Sequence, residues 1–268
     1  MSLVSNQQYL IGEQYRTAAN LSSRIDIHQR FSTNPQGWTS FVFEHLNLNS
    51  CEKVIELGCG TALLWQINLP RVPQNLSVSL FDLSQGMAST ARNHLNGDAR
   101  FQFGVADIQR IPAPSACFDL AVANHMLYHV PDLSAGLKEL ARVIKPTGRV
   151  FAATNGRGHL LELHLLISAI TGHDSTSPIT IAERFGLENG AELLKPVFSR
   201  VDRFLYLDSL WVTEAAPLVD YARSLWSVKS IMTPDHWRLF EQKVNERIKS
   251  DGGFAIRKET GLFTACLE

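Results

Sequence analysis

Three acidic residues and a glycine-rich turn lie at corresponding points of an alternating pattern of strands and helices. Glu56 comes just before the turn 58–61, Asp82 ends the next apolar run, and Asp107 follows the third. Glycines are needed where a strand turns sharply and a ligand approaches the backbone, and the amides of the following helix favour polar or anionic groups. An acid after the second strand can accept both hydroxyls of a ribose. Together the three acids suit a ligand with an amino group, a ribose and an adenine.

The elements that would position these acids are short strands separated by helices. Ser84 is expected to cap a helix that runs to about Leu95, and Pro131 and Asp132 open one that runs to about Ile144. Parallel strands joined by right-handed helical crossovers form a sheet covered on both faces, so a doubly wound α/β sheet is predicted. The predicted strands are 53–57, 77–81, 101–105, 118–123, 149–154, 201–207 and 262–267.

Helical segments flank this pattern and interrupt its second half. Asn20 or Ser22 is expected to cap a first helix, and a second helix covers 38–46. The apolar side of the first helix is Leu21, Ile25, His28 and Phe31. Residues 156–195 are too long for a simple loop and are interpreted as a helical lid. The predicted organisation is a helical N-terminal cap at 1–50, a core at 51–155 and 196–268, and the lid at 156–195, with further helices near 213–226 and 234–249.

The composition excludes several classes of protein. Of 268 residues, 45% are hydrophobic and 19% charged, which is typical of a folded globular chain. The 25 basic and 26 acidic residues give a net charge of -1, so no global field favours nucleic acid. The four cysteines have no CxxC spacing, which argues against a disulfide scaffold or a zinc site. Without a signal-peptide pattern or a long apolar stretch, a cytoplasmic location with no membrane contact is expected.

Several stretches in order resemble a known family. VIELGCGTA (54–62) resembles motif I of class I S-adenosylmethionine-dependent methyltransferases, and SLFDLSQGM (79–87) resembles the second motif. VADI (105–108) resembles the third, and FDLAVANHMLYHV (118–130) resembles the fourth-strand motif of the small-molecule branch, methyltransferase type 11. LKELARVIKPTG (137–148) is similar to the helix and turn before the fifth strand. The resemblance covers about 52–155 well and the tail only in outline.

The resemblance implies a Rossmann-like seven-stranded sheet whose last strand is antiparallel, and S-adenosylmethionine as cofactor. Glu56 would help hold the amino group, Asp82 the ribose hydroxyls and Asp107 the adenine amine. The other implied cofactor contacts are Gly58, Cys59, Gly60, Leu83, Met87, Ala106, Ile108 and Asn124. Ala62 departs from the family, which often has a third glycine there. A nicotinamide dinucleotide is disfavoured, since its fingerprint needs a glycine where Leu63 stands.

The N-terminal segment precedes the first strand and can fold across the strand ends as a cap. Similar methyltransferases close the cofactor pocket in this way. Tyr15 would cover the sulfonium, because an electron-rich ring favours a cation. Arg24 would pair with the cofactor carboxylate. Ordinary packing for Tyr15 and a surface position for Arg24 are the alternatives.

Methyl transfer needs a base only where the acceptor keeps a proton at neutral pH. His125 and His129 follow the fourth strand with Tyr128 between them, and their spacing of four places them on one face of a helical turn. A structural role for His129 is the alternative. No third ligand accompanies them, so a metal is rejected. His159 and His164 in the lid are weaker candidates for contacts with the acceptor.

The predicted function is transfer of a methyl group from S-adenosylmethionine to a small molecule, with O-, N- and C-acceptors all open. The apolar lid suits an aromatic or lipophilic acceptor. The alternative is a protein that binds the cofactor without transferring its methyl group, as a partner or regulatory subunit. Nucleic acid is disfavoured as acceptor, a protein acceptor stays open, and the sequence does not indicate an oligomeric state.

Overall fold

The computed structural model describes residues 3–17, 19–50, 52–95, 97–175, 177–225 and 227–268. Its centre is a seven-stranded sheet in the order β3-β2-β1-β4-β5-β7-β6. The strands are β1 (Lys53–Leu57), β2 (Ser77–Asp82), β3 (Phe101–Val105), β4 (Phe118–Asn124), β5 (Ile144–Asn155), β6 (Arg200–Val212) and β7 (Phe254–Cys266). The first five strands pair in parallel, and β7 is antiparallel to both β5 and β6. The predicted fold class and its antiparallel last strand are confirmed.

The helices surround this sheet. They are α1 (Gln7–Tyr9), α2 (Ala19–Phe31), α3 (Trp38–Leu46), α4 (Leu63–Asn68), α5 (Gln85–His94), α6 (Leu133–Val143), α7 (Leu161–Thr171), α8 (Ser177–Phe185), α9 (Gly190–Leu194), α10 (Ala215–Ser224) and α11 (Pro234–Asp251). A single π-helical turn, Leu10–Gln14, follows α1. The side chains of Ser84 and Asp132 cap α5 and α6, as predicted, by accepting from Met87 N and Ala135 N.

Three boundaries differ from the predictions. Helix α2 already includes Ala19, so Asn20 and Ser22 lie inside it and cap nothing; Ile27 and Phe31 are its buried side chains. Strand β5 begins at Ile144, where the end of the preceding helix is predicted. Strands β6 and β7 have 13 residues each because they pair with one another well beyond the end of β5. Charged residues in these extensions hide the apolar alternation that would indicate a strand.

The buried side chains form three clusters. Val54, Val122 and Phe151 belong to the cluster under α3, α4 and α5, whereas their strand neighbours contribute to the cluster under α6, α8 and α9. Successive side chains of a strand point to opposite faces, so the two clusters lie on the two faces of the sheet. The third cluster joins α2, α7, α10 and α11 to the outer ends of β6 and β7. The division into cap, core and lid stays a prediction.

None of the described helices is long and apolar enough to cross a membrane. Cys59, Cys117 and Cys266 are free thiols. Cys51 lies outside the described residues. No group of potential metal ligands is found among the described residues.

Candidate active site

A cavity of about 680 Å³ opens at the carboxyl ends of β1, β2 and β4. Parallel strands present their ends at one edge of the sheet, and ligands of open α/β sheets bind in the crevice outside them. The sequence-predicted site residues all line this cavity: Tyr15, Arg24, Glu56, Gly58, Cys59, Gly60, Asp82, Leu83, Met87, Ala106, Asp107, Ile108, Asn124, His125, Tyr128 and His129.

The glycine-rich turn after β1 is tight and its glycines are required. Gly58 has φ of +67°, and a Cβ there would lie 2.8 Å from the Cβ of Met126. Gly60 has φ of +55°, and a Cβ there would lie 3.2 Å from Leu21 Cδ2 of α2. Ala62 also has a left-handed backbone, with φ of +60°, so it holds a conformation that favours glycine. At Gly58 and Gly60 the turn therefore presents backbone to the cavity.

Asp82 fixes the geometry of two successive turns. Its carboxylate accepts from Gly60 N at 2.9 Å and from Ser84 N at 2.8 Å. Burial raises the pKa of Asp82, and the two backbone amides oppose that shift. The carboxylate thereby ties the end of β2 to the glycine turn beside it, with further lone pairs left for a ligand.

Asp107 connects the sheet edge to the N-terminal segment. Its carboxylate accepts from Gln109 N at 2.9 Å and from Gln7 Nε2 at 2.7 Å. Gln7 lies in α1, so this bond draws the beginning of the described chain across the strand ends. Ser84 Oγ donates to the carbonyl of Tyr15 at 2.8 Å and adds a second attachment.

Glu56 is the most deeply buried of the three acids, with 2% of its surface exposed. Its Oε2 accepts from Trp65 Nε1 at 2.5 Å. Burial raises the pKa of Glu56 to about 8, although the indole hydrogen bond lowers it. At neutral pH the carboxyl group is therefore mostly protonated until a cation approaches it. Burial also raises the pKa of the Cys59 thiol, which keeps that side chain neutral.

Tyr15, His129 and Arg24 form a short hydrogen-bonded chain over the cavity. His129 Nδ1 donates to the carbonyl of Val4 at 2.6 Å, since a carbonyl oxygen can only accept. The neutral ring then accepts at Nε2 from Tyr15 Oη at 3.1 Å. Arg24 reaches the same hydroxyl at 3.5 Å and donates twice to Ser224 of α10. Both nitrogens of His129 are thus engaged within the protein.

The prediction that His125 and His129 share a helical face is wrong. His129 ends a short 3-10 turn, Leu127–His129, whereas His125 precedes that turn with a left-handed φ of +55°. The His125 ring packs against Trp38, with 5.1 Å between ring centroids. Burial lowers the pKa of each imidazole to about 4, so both are neutral at pH 7. Burial raises the pKa of Tyr128, whose hydroxyl therefore stays protonated.

The end of the cavity beyond His125 contains functional candidates that the sequence did not indicate. His28 of α2, Trp38 of α3, Asn155 of β5 and Lys258 of β7 line it together with His159 and His164. These residues come from separate elements and share no motif or spacing, so no local pattern could have found them. His164 is engaged by Ser175, whose Oγ lies 2.9 Å from its Nδ1.

Comparison with known proteins agrees with this architecture. Residues 55–152 match the family model described as "Methyltransferase domain". The malonyl-[acyl-carrier protein] O-methyltransferase of Serratia marcescens is 31% identical over 115 residues, 42% of each chain. The ubiquinone biosynthesis O-methyltransferase of Stutzerimonas stutzeri is 32% identical over 121 residues, 44% of this chain and 50% of that protein. The chain thus spans about half the length of these relatives.

A solved structure extends the likeness to the whole sheet. The phosphoethanolamine N-methyltransferase 2 of Haemonchus contortus, in complex with S-adenosyl-L-methionine, superposes with a TM-score of 0.59 at 17% identity. The match covers 98% of this chain and 59% of that one. At this identity the likeness concerns the fold. Residues 55–152 thus match a methyltransferase domain model, and the other described segments complete the sheet and line the cavity.

Proposed function

We propose that this protein transfers a methyl group from S-adenosylmethionine to a small molecule bound in the same cavity. The observation that carries the proposal is the edge of the sheet, where Asp82, Asp107 and the glycine turn line one enclosed space with Glu56 behind them. Such an edge suits a ligand with a ribose, an adenine and an amino group.

The residues present fit this cofactor. The backbone of Gly58 and Gly60 forms a cradle that a Cβ would fill. Asn124 Oδ1 is buried and, within the described part of the chain, has no hydrogen-bond partner. A buried acceptor without a donor is costly, and a bound ammonium or hydroxyl group would satisfy it. Asp82 and Asp107 would hold the ribose and the adenine amine.

The remaining predicted contacts complete this arrangement. Leu83, Met87 and Ile108 would pack beside the adenine, with Ala106 at the same edge, and Cys59 lies inside the glycine turn. Tyr15 would lie over the sulfonium. Arg24 would meet the carboxylate through the guanidinium nitrogen that does not contact Ser224.

Bound S-adenosylmethionine supplies a methyl group attached to a positively charged sulfur. The protein's own part is to align the acceptor and exclude water. Gln7 and Tyr15 hold the N-terminal segment over the strand ends through Asp107 and Ser84, which keeps solvent from the site. His129 is a positioning residue in this proposal, because both its nitrogens bond within the protein. His125 and Tyr128 face the acceptor side as candidate catalytic residues.

The finer expectations belong to the same proposal. A small-molecule acceptor is supported by the enclosed cavity and by the names of the relatives, which include a ubiquinone biosynthesis O-methyltransferase. The balanced charge of the chain supports the exclusion of nucleic acid. A cytoplasmic location is supported by the free thiols of Cys59, Cys117 and Cys266.

Isothermal titration with S-adenosylhomocysteine tests the proposal directly. We expect saturable binding, and at least about tenfold weaker binding by Asp82→Ala because the ribose loses a buried acceptor. Asp220→Ala removes an exposed acid of α10 and is the matched control, with affinity unchanged. No binding at millimolar ligand would contradict the proposed cofactor.

An acceptor screen separates the proposed enzyme from the alternative of a binding protein. Phenols, quinols, carboxylic acids and amines are incubated with labelled S-adenosylmethionine, and methylated products are detected by mass spectrometry. Product formation from one class supports the transferase. Tight cofactor binding without product from any class would favour the regulatory or partner protein.

A further inference from the structure

Away from the predicted cofactor contacts, the cavity is lined by a group of side chains that contain nitrogen. We call it the imidazole pole and define it by His28, His125, His159 and Lys258, with Trp38 beside His125. The rings of His28 and His159 are 6.0 Å apart between centroids, and those of Trp38 and His125 are 5.1 Å apart. All five residues line the cavity. Apart from His125, which lies in the stretch 118–130, no predicted motif contains them, and the proposed cofactor contacts leave them unused.

Lys258 is a buried ammonium whose partner, Asp208, also accepts from other donors. It lies directly opposite Asp208 in the β6–β7 ladder and donates to it. The Asp208 carboxylate also accepts from Ser32 Oγ at 2.5 Å, Asn34 N at 3.0 Å and Thr33 N at 3.1 Å. Lys258 and these donors together hold the pKa of Asp208 below its usual value, against the effect of burial. An ammonium has three N–H bonds, so Lys258 keeps others for the cavity that it lines.

The imidazoles around this ammonium are neutral, and one tautomer is fixed. His159 Nδ1 lies 3.1 Å from the carbonyl of Glu259, so Nδ1 carries the hydrogen and Nε2 offers a lone pair. His28 Nδ1 is buried with no partner among the described residues. Burial, and next the charge of Lys258, lowers the pKa of His28 to about 3 and that of His125 to about 4. In His159, burial and then His28 lower the pKa.

Two further buried groups are left unsatisfied at this end. Trp38 Nε1 is a donor without an acceptor, and Asn155 Oδ1 is an acceptor without a donor, within the described part of the chain. An indole nitrogen can only donate, so a ligand that satisfies it must present a lone pair. The carboxyl groups that line the cavity, Glu56, Asp82 and Asp107, all belong to the opposite end. Within the described part of the chain, the imidazole pole thus offers two donors, the Lys258 ammonium and the Trp38 indole, and no carboxyl group that lines the cavity.

We propose that the methyl acceptor is an acidic hydroxyl compound, a phenol or an enol, which the imidazole pole binds as its oxyanion against Lys258. The inference rests on the proposed function and names its acceptor class. On binding, the O–H bond breaks, both electrons stay on the oxygen, and the proton leaves to the solvent buffer. The oxyanion accepts hydrogen bonds from Lys258 and Trp38, and it needs no further proton loss to accept a methyl group.

The same groups act against an amine acceptor. An alkylamine is a cation at neutral pH and would meet the Lys258 ammonium with no free carboxylate to offset the repulsion. A neutral ether of the same shape would bring no negative charge to Lys258 beyond that of its partner Asp208. Selection for an oxyanion in this proposal therefore rests on the two donors, Lys258 and Trp38.

The test uses 4-nitrophenol, a dye whose oxyanion is yellow and whose neutral form is nearly colourless. At a pH below the dye's own pKa, titration with the protein should produce the phenolate absorption band. It should also release protons, detected as a binding enthalpy that depends on the buffer. Binding should be at least about tenfold tighter than that of 4-nitroanisole, which cannot ionise. No band at millimolar dye, or equal binding of 4-nitroanisole, would overturn the proposal.

Variants then locate the oxyanion. Lys258→Met should abolish the band, and Lys138→Met, at an exposed position of α6, should leave it unchanged. The double variant Asp208→Asn/Lys258→Met removes both charges of the buried pair, so loss of the band cannot be ascribed to an unpaired Asp208. A phenolate band that persists in a folded double variant would contradict the role of Lys258.

S-adenosylhomocysteine titrations on the same samples separate this inference from the proposed function. If S-adenosylhomocysteine binds and 4-nitrophenol is not ionised, the proposed acceptor class is wrong and the proposed cofactor stands. If 4-nitrophenol is ionised and S-adenosylhomocysteine does not bind, the oxyanion site stands and the proposed methyl transfer is contradicted.

Discussion

The two ends of the cavity differ in their ionisable groups and in the elements that supply them. At the strand edge, Glu56, Asp82 and Asp107 present carboxyl groups from consecutive parallel strands. At the imidazole pole, Lys258 and neutral imidazoles come from α2, β7 and the segments that follow β4 and β5. A cationic cofactor and an electron-rich acceptor would each meet the end that suits it. On this proposal, the different charges of the two ends help to orient the two substrates in the cavity.

The sharpest way to separate the two ends is to block the strand edge alone. Gly58→Ala forces a side chain into a left-handed backbone and against Met126, which should destabilise the fold by about 2–4 kcal/mol and abolish S-adenosylhomocysteine binding. Gly97→Ala is the control, since Gly97 has φ of +80° and a Cβ there would have no atom within 4 Å. It should cost about 1–2 kcal/mol and preserve binding.

Urea unfolding and calorimetric titration measure both effects. The folded Gly58→Ala variant should still ionise 4-nitrophenol at the imidazole pole, because that end shares no residue with the glycine turn. If the variant loses both S-adenosylhomocysteine binding and 4-nitrophenol ionisation, the two ends form one cooperative site. That result would contradict their independence.

A smaller effect concerns the cost of burying an acid at the strand edge. Because folding raises the pKa of Glu56 from 4.5 to about 8, the folded state keeps a proton that the unfolded state releases. Stability therefore falls as the pH rises from about 4.5 to about 8. Glu56→Gln has no proton to lose and can still accept from Trp65. Between pH 5 and pH 8 the wild type should lose on the order of 3 kcal/mol of unfolding free energy that the variant keeps.

Thermal and urea unfolding across this pH range provide the measurement, with Glu241→Gln at an exposed position of α11 as the control. The same Glu56→Gln variant should bind the cofactor product less tightly, since a neutral amide attracts an ammonium group weakly. An unchanged pH slope would show that Glu56 is ionised in the free protein.

The smallest effect tests the departure from the glycine pattern. Ala62 has φ of +60°, a conformation that costs about 1–2 kcal/mol for a residue with a Cβ. Glycine would relieve this strain. Its greater freedom in the unfolded chain would in turn lower the free energy of unfolding by about 0.4–1 kcal/mol. Ala62→Gly should therefore stabilise the protein by about 0–1.6 kcal/mol, measured by urea unfolding. Cofactor affinity should not change, and a destabilised variant would contradict the strain at this position.

The residues of the strand edge can be predicted from sequence for a physical reason. Asp82 and Asp107 come directly after apolar runs, and the strand end fixes where the next side chain lies. Their motifs are local, so the chain order of strands and helices is enough to place them at one edge. The contact of Gln7 with Asp107 is not predictable, because it joins positions 100 residues apart through flexible side chains.

The residues of the imidazole pole cannot be predicted in this way. Lys258 lies in a charged stretch of β7, eight residues before the end of the strand, whereas the predicted strand begins at 262. Its burial depends on Asp208, which faces it only because β6 and β7 pair over their full length. His28 reaches the cavity through the packing of α2 on α10 and β6. Contacts of this kind have no signature in a single segment of sequence.

The anchoring of the α2–α3 loop by Asp208 has a consequence for the chain entropy that folding must overcome. Ser32 and Asp208 are 176 residues apart, whereas Gly60 and Asp82 are 22 apart. The Ser32–Asp208 contact therefore closes a much longer loop than the Gly60–Asp82 contact, and ordering that loop costs more chain entropy.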